Sequence, residues 1–72
     1  MKYSKEKMQK IKLFTKIFNQ KVIEMEIEGD LFCEVLNVSK SRFIGWKSGE
    51  FPREETLINI CKILKIDYNQ FL

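Results

Sequence analysis

The sequence predicts a small all-α domain, and two observations carry this prediction. Apolar residues recur at steps of three and four along most of the 72-residue chain, which is typical of amphipathic helices. Residues that start or stop helices, such as Ser39, Gly49 and Pro52, separate these periodic stretches. A chain of this length forms one domain, so we expect a single compact unit over residues 1–72.

The first predicted helix covers residues 4–25 and is rich in lysine. Ser4 is a candidate N-cap. Residues 23–27 alternate briefly between apolar and acidic, which leaves a short strand as an alternative there. The predicted apolar stripe consists of Met8, Ile11, Phe14, Ile17, Phe18, Val22 and Met25.

The second predicted helix covers residues 28–36 and the third covers residues 40–47. Asn37 is placed to end the second helix, since asparagine tolerates the left-handed conformation. Ser39 is a good N-cap for the third helix, and Gly49 follows its end. The predicted buried residues of this pair are Phe32, Cys33, Val35, Leu36, Phe43 and Trp46.

A fourth helix is predicted over residues 54–65 and a short fifth helix over residues 67–71. Pro52 forces an extended link before the fourth helix, because the residue before proline avoids the α region. The fourth helix begins with Glu54 and Glu55 and ends with lysines, which matches the helix dipole.

Charge is unevenly distributed, although the net charge is only +3. Residues 1–22 contain seven lysines and one glutamate, and residues 35–53 contain four cations and one glutamate. Between them, residues 23–34 contain five carboxylates and no cation. Basic patches of this kind indicate nucleic-acid binding.

Two cysteines and no histidine argue against an enzyme, a metal centre or a bound cofactor. Cys33 and Cys61 lie inside apolar patterns and are expected to be reduced core residues. No apolar run approaches the roughly 20 residues of a membrane span. The first residues lack the apolar stretch of a signal peptide, so we expect a cytoplasmic protein.

Residues 36–50 read L-N-V-S-K-S-R-F-I-G-W-K-S-G-E. This stretch resembles the helix-turn-helix of the Cro/repressor-like (Xre-type) family, which reads L-G-V-S-x-S-x-I-S-x-W-E-x-G. Residues 52–72, beginning P-R-E-E-T-L, resemble the helices that follow in that family. The resemblance implies a five-helix domain. It also implies a bacterial or phage transcriptional regulator, usually a repressor, that binds double-stranded operator DNA as a homodimer. The lysine-rich start of this chain is longer than in the typical module, so the first helix is expected to be extended.

The resemblance also implies roles for individual residues. It places DNA-base contacts at Lys40, Ser41 and Gly45, with Gly45 offering only close backbone approach. The predicted phosphate contacts are Ser39, Arg42, Lys47 and Ser48. The residues expected to hold the motif together are Cys33, Leu36, Val38, Phe43 and Trp46. The family often has a glutamine that contacts phosphate where this chain has Gly29, so a phosphate contact there is doubtful.

Three alternatives stay open from the sequence. Residues 1–9 are a candidate flexible basic arm, and lysines 2, 5, 7, 10 and 12 either bind DNA or form a solubilising face. A dimer surface is sought either at Leu13 of the first helix or at Tyr68, Phe71 and Leu72. The acidic stretch supports a second function, a protein-interaction module or inhibitor of another regulator that does not bind DNA.

Overall fold

Four α-helices and one short 3-10 helix make up the computed structural model, which describes residues 4–72. The α-helices are α1 (Lys5–Glu24), α2 (Gly29–Leu36), α3 (Lys40–Ser48) and α4 (Glu54–Leu64), and the 3-10 helix is Tyr68–Phe71. The all-α prediction is therefore confirmed, but the fifth element is a single 3-10 turn. Residues 4–72 contain no strand, and Ile23 and Glu24 belong to α1, so the strand alternative there is wrong.

Helix starts and stops explain why the elements fall where they do. The Ser4 hydroxyl accepts a hydrogen bond from the Lys7 amide, and Asn37 ends α2 in the left-handed conformation (φ 56°, ψ 49°). Both features were predicted. Ser39 has the extended backbone of an N-cap, but its side chain makes no capping hydrogen bond. The start of α2 is capped instead by the Glu28 carboxylate, which accepts from the amides of Asp30 and Leu31.

A flexible basic arm was predicted over residues 1–9. Residues 5–9 are instead helical, since they form the first turns of α1. Residues 1–3, including Lys2, lie outside the described part of the chain. None of the helices in that part is long and apolar enough to cross a bilayer.

Aromatic rings from α1, α2 and α3 form the centre of the core. Phe14 and Phe18 are both 0% exposed and stack on each other with ring centroids 5.4 Å apart. The Phe18 ring also meets three others edge-on: Phe32 at 5.9 Å, Phe43 at 5.7 Å and Trp46 at 6.1 Å. From α4 the core receives Leu57, Ile60, Cys61 and Leu64.

The residues predicted to hold the motif together all contact this core. Cys33, Phe43 and Trp46 are buried, and Leu36 and Val38 are half-buried and pack against it. Val35 was predicted to be buried, but its side chain is 71% exposed. The prediction failed because only one flank of α2 faces the core, and Val35 lies on the other flank with Leu31. Met8 and Met25, at the two ends of the predicted α1 stripe, are also exposed.

Both cysteines are free and buried, as predicted. Burial raises the pKa of the Cys33 thiol and of the Cys61 thiol above the ordinary value. Burial therefore disfavours the thiolate, which is the reactive form of cysteine, at both positions. Both cysteines serve as small apolar core residues.

Candidate nucleic-acid interface

A three-residue turn, residues 37–39, sets α3 across α2. The Val38 amide donates to the Cys33 carbonyl at 3.0 Å, and the Val38 side chain packs against the core. The small Cys33 side chain lets the turn approach closely, and its Sγ lies 3.8 Å from the Ser39 carbonyl oxygen. The Phe43 ring then packs on Phe32 at 5.6 Å. One face of α3 is thus fixed, and its opposite face lies in solvent.

The solvent face of α3 carries a line of side chains at helical spacing. Lys40, Ile44 and Ser48 are four residues apart and all exposed, with Ser41 beside them. Ile44 is 54% exposed in the middle of this line. Lys40 and Ser41, the predicted base contacts, are exposed on this face, whereas Ile44 was not assigned a role. The four-residue spacing from Lys40 is the signal that identifies it.

Lys40 is held by an acidic residue of the neighbouring helix. Its Nζ donates to Asp30 Oδ1 at 2.7 Å, and the two side chains are 57% and 70% exposed. The hydrogen bond to Asp30 raises the pKa of Lys40 above its ordinary value. Exposed ion pairs contribute little free energy, so Lys40 can exchange Asp30 for another acceptor at low cost.

Gly45 is not accessible in the way the sequence predicted. It is buried, because the side chain of Glu50 folds back over it. The Glu50 carboxylate oxygen lies only 2.6 Å from the position where a Cβ on Gly45 would stand. The Glu50 amide also donates to the Gly45 carbonyl at 2.9 Å, closing the end of α3. An anionic group therefore covers the backbone that was expected to approach DNA.

The predicted phosphate-binding residues are all exposed, but their hydrogen-bonding capacity differs. Arg42 and Lys47 carry their charges into solvent, and Lys47 Nζ lies 5.6 Å from the centroid of the Phe43 ring. The Ser39 hydroxyl is not used to cap α3. The Ser48 hydroxyl, by contrast, donates to the Ile44 carbonyl at 2.9 Å. Ser48 is therefore the weakest of the four candidates, since its proton is already engaged.

Helix α1 brings a further basic group to the end of α3. Asn19 Nδ2 donates to the Lys47 carbonyl at 3.1 Å, which ties the two helices together. Lys12 lines a cleft with Met8, Ile11 and Gly49, so it lies beside the residue that ends α3. Of the predicted arm lysines, Lys12 is thus adjacent to the candidate interface. Lys7 instead lies 4.8 Å from the Phe51 ring centroid.

The start of α2 is poorly suited to hold a phosphate. A Cβ at Gly29 would stand 3.2 Å from Cε2 of Phe43, so glycine allows that ring to pack closely. The amides of Asp30 and Leu31, which an anion would use, already donate to the Glu28 carboxylate. Glycine at position 29 and the acidic residues around it therefore suit packing and capping of α2.

No protein-family model matches this chain, and no curated protein or solved structure matches it significantly. The resemblance of residues 36–72 to the Cro/repressor-like family therefore stays a prediction from the residues themselves. Residues 4–72 contain no group of histidine, cysteine and acidic side chains that could hold a metal ion.

Gly45→Ala is expected to leave the domain as stable as before or to stabilise it by up to about 1 kcal/mol. Alanine is favoured over glycine inside a helix by about that amount. The new Cβ displaces only the end of the flexible, exposed Glu50 side chain. Thermal unfolding followed by circular dichroism tests this, since 1 kcal/mol corresponds to about 4–8 °C in a domain of this size.

Gly49→Ala provides the matched control. Gly49 has φ 122°, a backbone conformation that residues other than glycine rarely adopt. Its replacement should therefore lower the midpoint of thermal unfolding. An equal loss of stability in both variants would mean that Gly45 is required for the backbone of α3 and that the Glu50 side chain cannot move aside.

Proposed function

We propose that this domain is a sequence-specific DNA-binding regulator of the Cro/repressor-like helix-turn-helix type, and that it is a cytoplasmic transcriptional repressor of a bacterium or a phage. The observation that carries the proposal is the construction of α3. Its inner face is fixed by Phe43 and Trp46, while its outer face offers short polar and basic side chains to solvent. A helix built in this way fits the DNA major groove, which is about 12 Å wide.

Base reading falls to three side chains on the outer face of α3. Lys40 donates to the guanine acceptors N7 and O6 after it leaves Asp30. The Ser41 hydroxyl pairs with either donors or acceptors on a base edge. Ile44, exposed one turn beyond Lys40, makes an apolar contact with a thymine methyl group.

Backbone binding falls to the cations around this face. Arg42 and Lys47 project from α3, and Lys12 of α1 lies next to Gly49 at its end. Ser39, before the first turn of α3, adds a neutral donor. Contacts of this kind position a protein on DNA and make its affinity strongly dependent on salt. Glu50 opposes them, because its carboxylate lies on the flank of the same helix.

A palindromic operator requires two copies whose α3 helices lie about 34 Å apart. Two of the residues named for a dimer surface are accessible: Leu13 is 37% and Leu72 is 66% exposed. Phe71 is not, because its ring is buried against Phe14 and Phe51. Two alternative dimer surfaces therefore remain: Leu13 of α1, or the half-buried Tyr68 together with Leu72.

The preferred DNA sequence is expected to change when Lys40 or Ser41 is replaced by alanine. Sequences are selected from a random duplex pool with the wild-type chain, Lys40→Ala, Ser41→Ala and the control Lys62→Ala, which lies on α4. Each of the first two variants should relax the preference at one base position, at a cost of about 1–3 kcal/mol for the lost contact. Lys62→Ala should select the wild-type sequence.

Two results would count against the proposal in different ways. If the wild-type chain has no affinity for duplex DNA even at about 50 mM salt, the function itself is wrong, since phosphate contacts are strongest there. The alternative, an interaction module without DNA binding, predicts that result. If DNA binds but all four proteins select one sequence, only the assignment of Lys40 and Ser41 is wrong.

A further inference from the structure

An apolar groove lies between α2, α4 and the segment that joins α1 to α2. Its volume is about 290 Å³. Leu31 and Val35 of α2 form one wall and are 60% and 71% exposed, far more than apolar side chains facing a core. Ile63 of α4 lies across from them, and the buried Phe32 lies beneath. Exposed apolar side chains that form a contiguous patch mark interaction sites, whereas apolar side chains scattered singly over a surface do not.

The groove continues along the same two helices. A second depression shares Val35 and Ile63 with the first and extends to Asn59 and Lys62 of α4. Helix α2 has eight residues, so the combined apolar strip follows about 12 Å of helix axis. That length matches two to three turns of a helix lying in the groove, whose anchors recur at every third or fourth residue.

Negative charge is concentrated at one end of this strip. Glu26 and Glu28 border the groove, and residues 24–34 hold five carboxylates with no lysine or arginine. Three of these carboxylates are engaged: Glu24 with Lys21, Glu28 with the amides of α2, and Asp30 with Lys40. Within residues 4–72, neither Glu26 nor Glu34 takes part in an ion pair.

This charge distribution selects among the possible occupants. Nucleic acid and anionic lipid would be repelled by the carboxylates. A symmetric contact with a second copy would bring the same patch of each chain together and oppose its carboxylates. The class of occupant that remains is a protein surface with an apolar face and positive charges beside that face.

We propose that this groove binds a basic amphipathic helix of a partner protein. Apolar side chains of that helix enter between Leu31, Val35 and Ile63, and its lysines or arginines face Glu26 and Glu28, which border the groove. The groove is separate from the outer face of α3, because Leu31 and Val35 lie on the flank of α2 towards α4, whereas Asp30 faces α3. The inference therefore does not depend on DNA binding.

The test uses the full chain, labelled with ¹⁵N, and a synthetic helical peptide with leucines on one face and lysines on the other. Amide shifts are expected to cluster at residues 26–36 and 59–63. Val35→Ser should weaken binding by about tenfold, as expected for an anchor contact. Glu26→Gln should also weaken it. Both positions are exposed, so these variants should fold normally.

Two matched controls distinguish peptide binding at this groove from nonspecific binding. Ile44→Ser removes an apolar side chain of similar exposure from α3 and should leave peptide binding unchanged. A peptide in which glutamates replace the lysines should not bind. Equal binding of the acidic peptide, or shifts centred on α3, would overturn the proposal. So would self-association in analytical ultracentrifugation that Val35→Ser abolishes, because the occupant would then be a second copy.

Discussion

Replacing Phe18 by alanine should remove a large fraction of the free energy of unfolding of this domain. The side chain is 0% exposed and contacts four other aromatic rings from three helices. Truncating a buried phenylalanine costs about 3–5 kcal/mol, because the cavity it leaves is only partly refilled. A domain of 72 residues has about 4–11 kcal/mol of total stability, so this single loss removes much of it.

Trp46 provides the measurement. It is the only tryptophan in the chain, and its ring lies 6.1 Å from that of Phe18. Urea unfolding is followed by its fluorescence and by circular dichroism, with Leu13→Ala as the control. Leu13 is 37% exposed on the same helix and should lose far less stability. Similar midpoints for the two variants would contradict the central position of Phe18.

The bounds of the helices could be predicted closely because they depend on local chemistry. Asn37 and Gly49 end α2 and α3 through their own backbone conformations, and Ser4 caps α1 through an amide three residues away. The apolar spacing along α4 likewise reports its own buried face. In each case the residues that carry the signal lie within one or two turns of the feature they determine.

The candidate interface could be predicted only in part, because its chemistry depends on groups that meet through the fold. The pairing of Lys40 with Asp30 joins two helices, and Lys12 lines a cleft with Gly49, which is distant from it in the chain. The position of Glu50 over Gly45 depends on how the chain turns after α3. Spacing along one helix contains no information about such neighbours.

The roles of the acidic residues 23–34 also depend on the fold and could not be predicted from the sequence. In the sequence this acidic stretch is a departure from the family pattern and a reason to doubt a phosphate contact at Gly29. In the structure Glu28 caps α2 and Asp30 positions Lys40, while Glu26 borders the apolar groove. One stretch therefore serves both helix packing and a separate surface. This division makes the proposed DNA binding by α3 compatible with five carboxylates nearby in the chain.

Neutralising Arg42 and Lys47 together should weaken binding to random duplex DNA on the order of a hundredfold at about 50 mM salt. Each cation that contacts a phosphate releases a counterion, so Arg42→Gln with Lys47→Gln should reduce the slope of log affinity against log salt by about two. Sequence preference should remain, because neither side chain is assigned to a base. Fluorescence anisotropy at several salt concentrations measures both quantities.

The matched control is Lys62→Gln with Lys65→Gln, which changes the net charge equally but lies at the end of α4. If both double variants reduce the slope of log affinity against log salt equally, binding depends on net charge alone, and the cations of α3 make no specific phosphate contacts. Lys47 also lies over the Phe43 ring, a contact worth about 0.5–1 kcal/mol at exposed sites. Thermal unfolding of the variant therefore separates a loss of fold from a loss of phosphate contacts. A lower slope at an unchanged unfolding midpoint would tie the affinity to the two charges themselves.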